Sequence, residues 1–204
     1  MTAEPTVFVV DDDPAVRTSL QKLLTAAGLP SEAYASAAEF LEAHDPGRPG
    51  CLILDVRLPG GNGLDVQDEL RRRNATLPII VMTGYGDVPT SVRAFKGGAL
   101  DFLRKPVRPK ALIERIREAL AIDARTREAS AQDAAVSDCI ALLTPREREV
   151  MELLAVGKSS KEIAVALNIS SVRTVESHRR NVLRKMNVSS AAELAHAVGR
   201  WRLP

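Results

Sequence analysis

An α/β doubly wound sheet of five parallel strands, followed by a helical linker and an all-α four-helix domain, is the fold this sequence predicts. Short β-branched runs alternate with helical patterns over about the first 120 residues, and such alternation reads as parallel strands joined by crossover helices. From Leu142 onward every pattern is helical. Five strand–helix units suit an open sheet, because a closed barrel of this kind needs about eight.

The first run, Thr6–Val10, leads to a helix over Pro14–Ala27 that Gly28 ends. An edge strand is expected at Ser31–Ala35, then a helix at Ala37–Ala43. Strand Leu52–Asp55 precedes a helix near Gly63–Arg73, and strand Ile79–Met82 precedes one near Val88–Gly97. The last strand, Asp101–Arg104, feeds a helix from about Pro109, with Leu112, Ile113, Ile116, Ala119 and Leu120 as its apolar residues. Asp123–Asp138 is rich in Ala, Asp, Arg and Glu and has no Gly or Pro, so residues 123–141 are expected as a helical linker between domains 1–122 and 142–204, with a partly disordered tether as the alternative.

In the last domain, Thr144-Pro145-Arg146-Glu147 combines an N-cap, a proline at the first helical position and a capping-box glutamate, with Leu142 or Leu143 as a staple. Gly157 stops that helix, and Ser159/Ser160 open a second that Asn168 ends. A third pattern, Thr174–Met186, puts Val175, Val182, Leu183 and Met186 on one face, and a fourth runs from about Ser190 to Val198. A tight turn before the third helix makes this a helix-turn-helix.

The 204 residues are 45% hydrophobic and 26% charged, ordinary for a soluble globular chain. Aromatic residues make up 3%, too few for single-strand stacking platforms. Residues 1–122 carry a net charge of −1, 123–141 carry −2 and 142–204 carry +5, so a polyanion partner is expected for the tail alone. Cys51 and Cys139 are far apart and outside any C-x-x-C, which argues against zinc and against a disulfide framework. No apolar run approaches the roughly 18 residues of a membrane span, and the N-terminus lacks a signal-peptide charge pattern. A cytoplasmic protein with no membrane partner is expected.

Open α/β sheets put their chemistry just beyond the strands' carboxyl ends. Here those ends carry Asp11-Asp12-Asp13, Asp55, Thr83 and Lys105. Asp11, Asp12 and Asp55 cannot all ionise within a few Å without a cation. Hard oxygen ligands select Mg²⁺ (or Mn²⁺) over zinc. One carboxylate would remain free for in-line attack on a donor's phosphoryl group. Asp55, alone at a central strand end, is the expected nucleophile. Asp12 would coordinate directly with Asp11 in support, and Asp13 is placed as an N-cap before Pro14. Lys105 would pair with the new phosphoryl group, and the Thr83 hydroxyl would donate to it. Lys105-Pro106 is a candidate cis peptide.

Residues 1–120 resemble the receiver domain of two-component response regulators, which is flavodoxin-like. The resemblance rests on Val9-Val10-Asp11-Asp12, Asp55-Val-Arg-Leu-Pro59, Met82-Thr83-Gly84 and Lys105-Pro106. It implies that Arg57 lends a backbone carbonyl to Mg²⁺ and that Phe102 is the aromatic that switches with Thr83. The stretch Thr83–Pro89 is similar to the FixJ-like branch, whereas Gly60-Gly61-Asn62-Gly63 is richer in glycine than most versions of that loop.

In the tail, Arg173, Arg179, Arg180, Arg184 and Lys185 fall within thirteen residues, against one acid, Glu176. An apolar side holds such a helix to its domain while the cationic side meets phosphates. Reading of bases falls to Glu176, Ser177 and Arg180 on its first turns. Residues 142–204 resemble the LuxR-type helix-turn-helix through Leu143-Thr-Pro-Arg-Glu147, Lys161-Glu-Ile-Ala164, Thr174-Val-Glu-Ser-His178 and Arg184-Lys-Met186. That resemblance brings Thr174, Lys161 and His178 into the DNA-binding set and makes Glu147 structural. Four residues separate Ile169 from Thr174, one more than the family's usual spacing. Trp201 is expected to pack against the last helix.

The order of the two resemblances matches response regulators of the FixJ/NarL class. It implies a sensor histidine kinase as donor to Asp55, phosphorylation that drives a homodimer or unmasks the tail, and double-stranded promoter DNA and RNA polymerase as partners. It implies no enzyme activity beyond the receiver's own phosphoryl transfer and dephosphorylation. Two alternatives stand beside this reading. One is a regulator gated by protein partners independently of phosphate. The other is a haloacid-dehalogenase-like phosphatase using Asp11 and Asp13, against which Ala15 stands where that family has Thr.

Overall fold

A computed structural model describes residues 4–58, 61–73, 75–84 and 88–202. Pro59, Gly60, Tyr85–Asp87 and the side chain of Trp201, on which parts of the sequence reading fall, lie outside the described residues. The chain forms two compact units, 1–127 and 128–204.

In the first unit, β1 (Thr6–Val10), β2 (Ser31–Tyr34), β3 (Gly50–Asp55), β6 (Ile79–Thr83) and β7 (Asp101–Arg104) form one parallel sheet in the order β2-β1-β3-β6-β7. Helices α1 (Pro14–Ala26), α2 (Ala37–Ala43), α3 (Leu64–Arg72), α4 (Val88–Lys96) and α5 (Pro109–Ala141) connect or follow the strands. Strand alternation sorts the core into two layers. Phe8, Val10, Leu52, Leu54 and Val81 pack with Phe40 of α2, Leu64 and Leu70 of α3 and Ala94 of α4. Val7, Val9, Cys51, Ile53, Ile80 and Met82 pack with Leu20 and Leu24 of α1 and with Leu112, Ile116 and Ala119 of α5. A sheet covered on both faces explains strands that read as unbroken apolar runs.

Local signals set the boundaries. Asp13 caps α1 by accepting from the Ala15 N–H at 2.8 Å, and Gly28 ends its turn at φ +70°. One pairing escaped the sequence reading: β4 (Arg57–Leu58) and β5 (Gly61–Asn62) form a two-stranded antiparallel ribbon right after Asp55. Two-residue strands are too short to carry a period.

Helix α5 runs unbroken for 33 residues through the stretch expected as a helical linker. Its residues Asp123 and Arg127 belong to the first unit. The Asp123 carboxylate is almost wholly buried and accepts the Gly50 N–H at 2.8 Å. Arg127 pairs with Asp123 at 2.9 Å and donates to the carbonyls of Pro46, Gly47 and Arg48.

The second unit holds α6 (Pro145–Ala155), α7 (Ser160–Ala166), α8 (Val172–Lys185) and α9 (Ala191–Arg202) around Val150, Met151, Leu154, Ile163, Val175, Val182, Leu194 and Val198. Thr144/Glu147 and Ser159/Glu162 each close a capping box, so two orphan N–H groups are satisfied at each start. Gly157, Asn168 and Asn187 have positive φ where α6, α7 and α8 end. Of the two staple candidates, Leu143 enters the core and Leu142 is exposed. Helix α8 starts at Val172, two residues before the expected Thr174, with Ser171 at its N-cap. Val175, Val182 and Met186 still face inward, so the apolar face of α8 is intact despite the additional residue before it.

Candidate functional site

The carboxyl ends of β1, β3, β6 and β7 converge as open-sheet topology requires. Asp11 follows β1, Asp55 closes β3, and Thr83 closes β6 one residue after Met82, the cross-strand partner of Asp55. Lys105 follows β7, with its N–H on the Thr83 carbonyl at 2.8 Å. The Lys105-Pro106 peptide is cis. The Lys105 ammonium donates to Asp11 Oδ2 and to Asp55 Oδ2 at 2.6 Å each.

Asp11, Asp55 and Thr83 are buried, while Asp12 is exposed. Carboxylate oxygens of Asp11, Asp12 and Asp55 all lie within 4.8 Å of one another. Burial pushes the Asp11 carboxyl above its ordinary value, with Asp55 adding to the rise and Lys105 working against it. Burial also works against the Lys105 ammonium, yet its bonds to Asp11 and Asp55 hold its value above the ordinary lysine range. Three oxygen donors with one lysine between two of them fit a hard divalent cation better than a soft one.

The far oxygens are tied to backbone. Asp11 Oδ1 accepts the Asp13 N–H at 3.1 Å and Asp55 Oδ1 accepts the Arg57 N–H at 3.2 Å. Behind Asp55 the chain folds back so closely that a Cβ on Gly63 would stand 1.9 Å from the Asp55 carbonyl oxygen. Gly63 also donates its N–H to Val56 O at 2.7 Å. Phe102 on β7 is half-buried against the core layer shared with Val81.

One residue of this region was missed by sequence reasoning. Arg17 of α1 directs one nitrogen to the carbonyls of Asp11 at 2.7 Å and Asp12 at 2.9 Å. A cation one helical turn beyond an acidic triplet was the available signal.

In the second unit, α8 presents Arg173, Thr174, Glu176, Ser177, Arg180 and Arg184 to solvent, and α7 presents Lys161. His178 and Arg179 are half-buried. Lys185, expected among the DNA contacts, instead turns to its own domain. Its ammonium bonds the buried Glu147 carboxylate at 2.7 Å and the Leu142 carbonyl at 3.1 Å. Lys185 and the Thr144 N–H together hold the Glu147 carboxyl down at about 2.

Residues 7–117 match the family described as response regulator receiver domain, and residues 141–198 match the luxR family of bacterial regulatory proteins. Transcriptional regulatory protein FixJ of Azorhizobium caulinodans is 47% identical over 92% of this chain and 89% of its own length. Nodulation protein W of Bradyrhizobium diazoefficiens is 45% identical over 92% of this chain and 82% of its own. Among solved structures, the response regulator StyR superposes with a TM-score of 0.87 at 41% identity, over 97% of this chain and 100% of that one. Among the described residues, no helix is long and apolar enough to cross a membrane.

Proposed function

The chain belongs to the response regulators of two-component systems, with a receiver domain followed by a LuxR-type DNA-binding domain, and on that premise we propose that Asp55 is the acceptor whose phosphorylation controls transcription. The observation that carries the assignment is the Lys105 ammonium held between Asp11 and Asp55 at 2.6 Å each. This supports the reading by giving Asp55, which closes the central strand β3, a ready counter-charge.

In this reading an Asp55 oxygen attacks the phosphorus of a sensor kinase's phosphohistidine. The O–P bond forms as the P–N bond breaks, and the imidazole leaves. Asp11, Asp12, Asp55 and the Arg57 carbonyl would hold Mg²⁺ or Mn²⁺, which supplies charge neutralisation and polarises the phosphoryl oxygens. Lys105 leaves Asp55 for the phosphoryl group, and Thr83 and Phe102 follow it. The receiver then promotes only its own transfer and hydrolysis. Val92 and Phe95, 45% and 52% exposed on α4, supply apolar surface for a phosphorylation-driven dimer. Two copies of α8 would meet a two-fold promoter site, with Arg180, Glu176 and Ser177 at base edges and Arg173, Thr174, Lys161, His178 and Arg184 at the backbone. Contact with RNA polymerase belongs to the same proposal.

Intact mass after incubation with Mg²⁺ and acetyl phosphate tests the assignment. One phosphoryl group is expected on the wild-type chain and none on Asp55→Asn. A gain of the same mass in Asp55→Asn overturns it.

A further inference from the structure

Asp11–Asp13 is a three-residue connection between β1 and α1 that carries two of the three clustered carboxylates. Asp11 is anchored on both sides, by its N–H to Tyr34 O at 3.2 Å and by its carboxylate to Lys105. Asp12 is exposed, and its direction depends on the two peptide planes that flank it. Those planes carry the carbonyls of Asp11 and Asp12, and both oxygens converge on Nη1 of Arg17, at 2.7 and 2.9 Å. Arg17 itself is held, half-buried, by the first turn of α1, where its N–H meets Asp13 O at 3.0 Å. One guanidinium nitrogen thereby holds the backbone on both sides of Asp12 and aims its Cα–Cβ bond.

We infer that Arg17 is a positioning residue of the cation site: by clamping the carbonyls of Asp11 and Asp12 it directs the Asp12 carboxylate toward Asp11 and Asp55. The inference rests on the metal-dependent reading proposed above. Two effects of the same residue have opposite signs. The clamp pre-orders a ligand and strengthens cation binding, as outer partners of metal ligands do. The positive charge repels a cation and weakens binding. Here the clamp dominates, because the guanidinium is already committed to two carbonyl dipoles while Asp12 would otherwise be free to turn to water.

The test uses the full-length chain and Mn²⁺ as probe, with free Mn²⁺ counted by electron paramagnetic resonance. Arg17→Met is expected to raise the Mn²⁺ dissociation constant about ten-fold, with Arg17→Lys between it and wild type. In phosphorylation by acetyl phosphate, the Mg²⁺ needed for half-maximal rate should rise in Arg17→Met while the rate at saturating Mg²⁺ stays within about two-fold of wild type. A general loss of structure would instead lower the saturating rate. Should Arg17→Met not fold, Arg17→Lys carries the same comparison. Unchanged or tighter Mn²⁺ binding in the variants overturns the inference while leaving the metal reading in place. Absence of Mn²⁺ binding in the wild-type chain overturns the metal reading itself.

Discussion

Lys185 reaches from the last turn of α8 to the buried carboxylate of Glu147 in the first turn of α6, 2.7 Å away. One side chain thereby secures the helix expected to carry DNA recognition to the helix that opens the domain. Removing the ammonium leaves a buried carboxylate with only the Thr144 bonds. Lys185→Met is expected to cost about 2 kcal/mol of stability in the second unit. The folded value of Glu147, about 2, lies below its ordinary 4.5. Its contribution is therefore complete above pH 4.5 and is lost as pH falls toward about 2. Thermal unfolding at pH 6 and pH 3 should show this acid loss in wild type and a smaller one in Glu147→Gln.

The same pair separates two neighbouring cations. Arg184 is exposed on α8, whereas Lys185 is committed to Glu147 and Leu142. In a salt titration of promoter binding, Arg184→Gln should lower the slope of log K against log salt by about 1, the share of one phosphate contact. Lys185→Gln should leave the slope nearly unchanged. Equal slopes for the two variants would place both side chains off the DNA, or both on it.

His44 is buried beside Phe40, with ring centroids 5.1 Å apart, and neither ring nitrogen has a hydrogen-bond partner among the described residues. Burial holds its value below the ordinary 6.5, with Arg127, Arg73 and Arg48 adding to the fall and Asp45 opposing it. The stability of the first unit should therefore be steady above pH 6.5 and decline below it, as the unfolded chain takes up a proton that the folded chain resists. His44→Phe should flatten the fall in melting temperature between about pH 7 and pH 5.5.

Gly63 stands where any Cβ would meet the Asp55 carbonyl oxygen at 1.9 Å. A methyl group there must displace either the backbone of the acceptor or the turn that carries Gly63. Gly63→Ala should slow phosphorylation by acetyl phosphate at least about ten-fold, since a shift of about 1 Å at a reacting group costs far more than contact area suggests. Intact-mass time courses would reveal it, and a wild-type rate would show that the turn yields instead of Asp55.

The Asp123–Arg127 pair clasps the start of β3 and the loop before it. A receiver fragment ending at residue 122 loses the acceptor for the Gly50 N–H and should melt roughly 5 °C below one ending at residue 128. Differential scanning calorimetry of the two fragments measures the difference. Equal melting points would limit the clasp to geometry.

The two halves were legible from sequence for different reasons. Strand runs such as Val7–Val10 and Ile79–Met82 are buried on both faces, so their apolar character survives without any knowledge of their neighbours. Topology then carries Asp11, Asp55, Thr83 and Lys105 to one edge, because parallel strands share a carboxyl end. Helix starts at Thr144 and Ser159 and ends at Gly157 and Asn168 are local chemistry, written within four residues. The ribbon β4–β5 was not legible, since two residues show no period. Nor was the extent of the first unit, because the burial of Asp123 depends on Gly50, distant in sequence.

What the sequence determined alone was therefore the order of the helices and of the five sheet strands, the residue types at each strand end and the basic character of the third tail helix, each written within a short stretch of chain. Tertiary structure decided which charges are free for partners. In sequence Lys185 reads as a DNA contact and Arg17 and Arg127 carry no assigned role, yet each is bound to backbone carbonyls of its own unit, Arg127 and Lys185 also to a buried carboxylate. A long cationic side chain takes whichever acceptor the fold brings within reach. That choice depends on distances across the fold, and neighbours in sequence do not encode it.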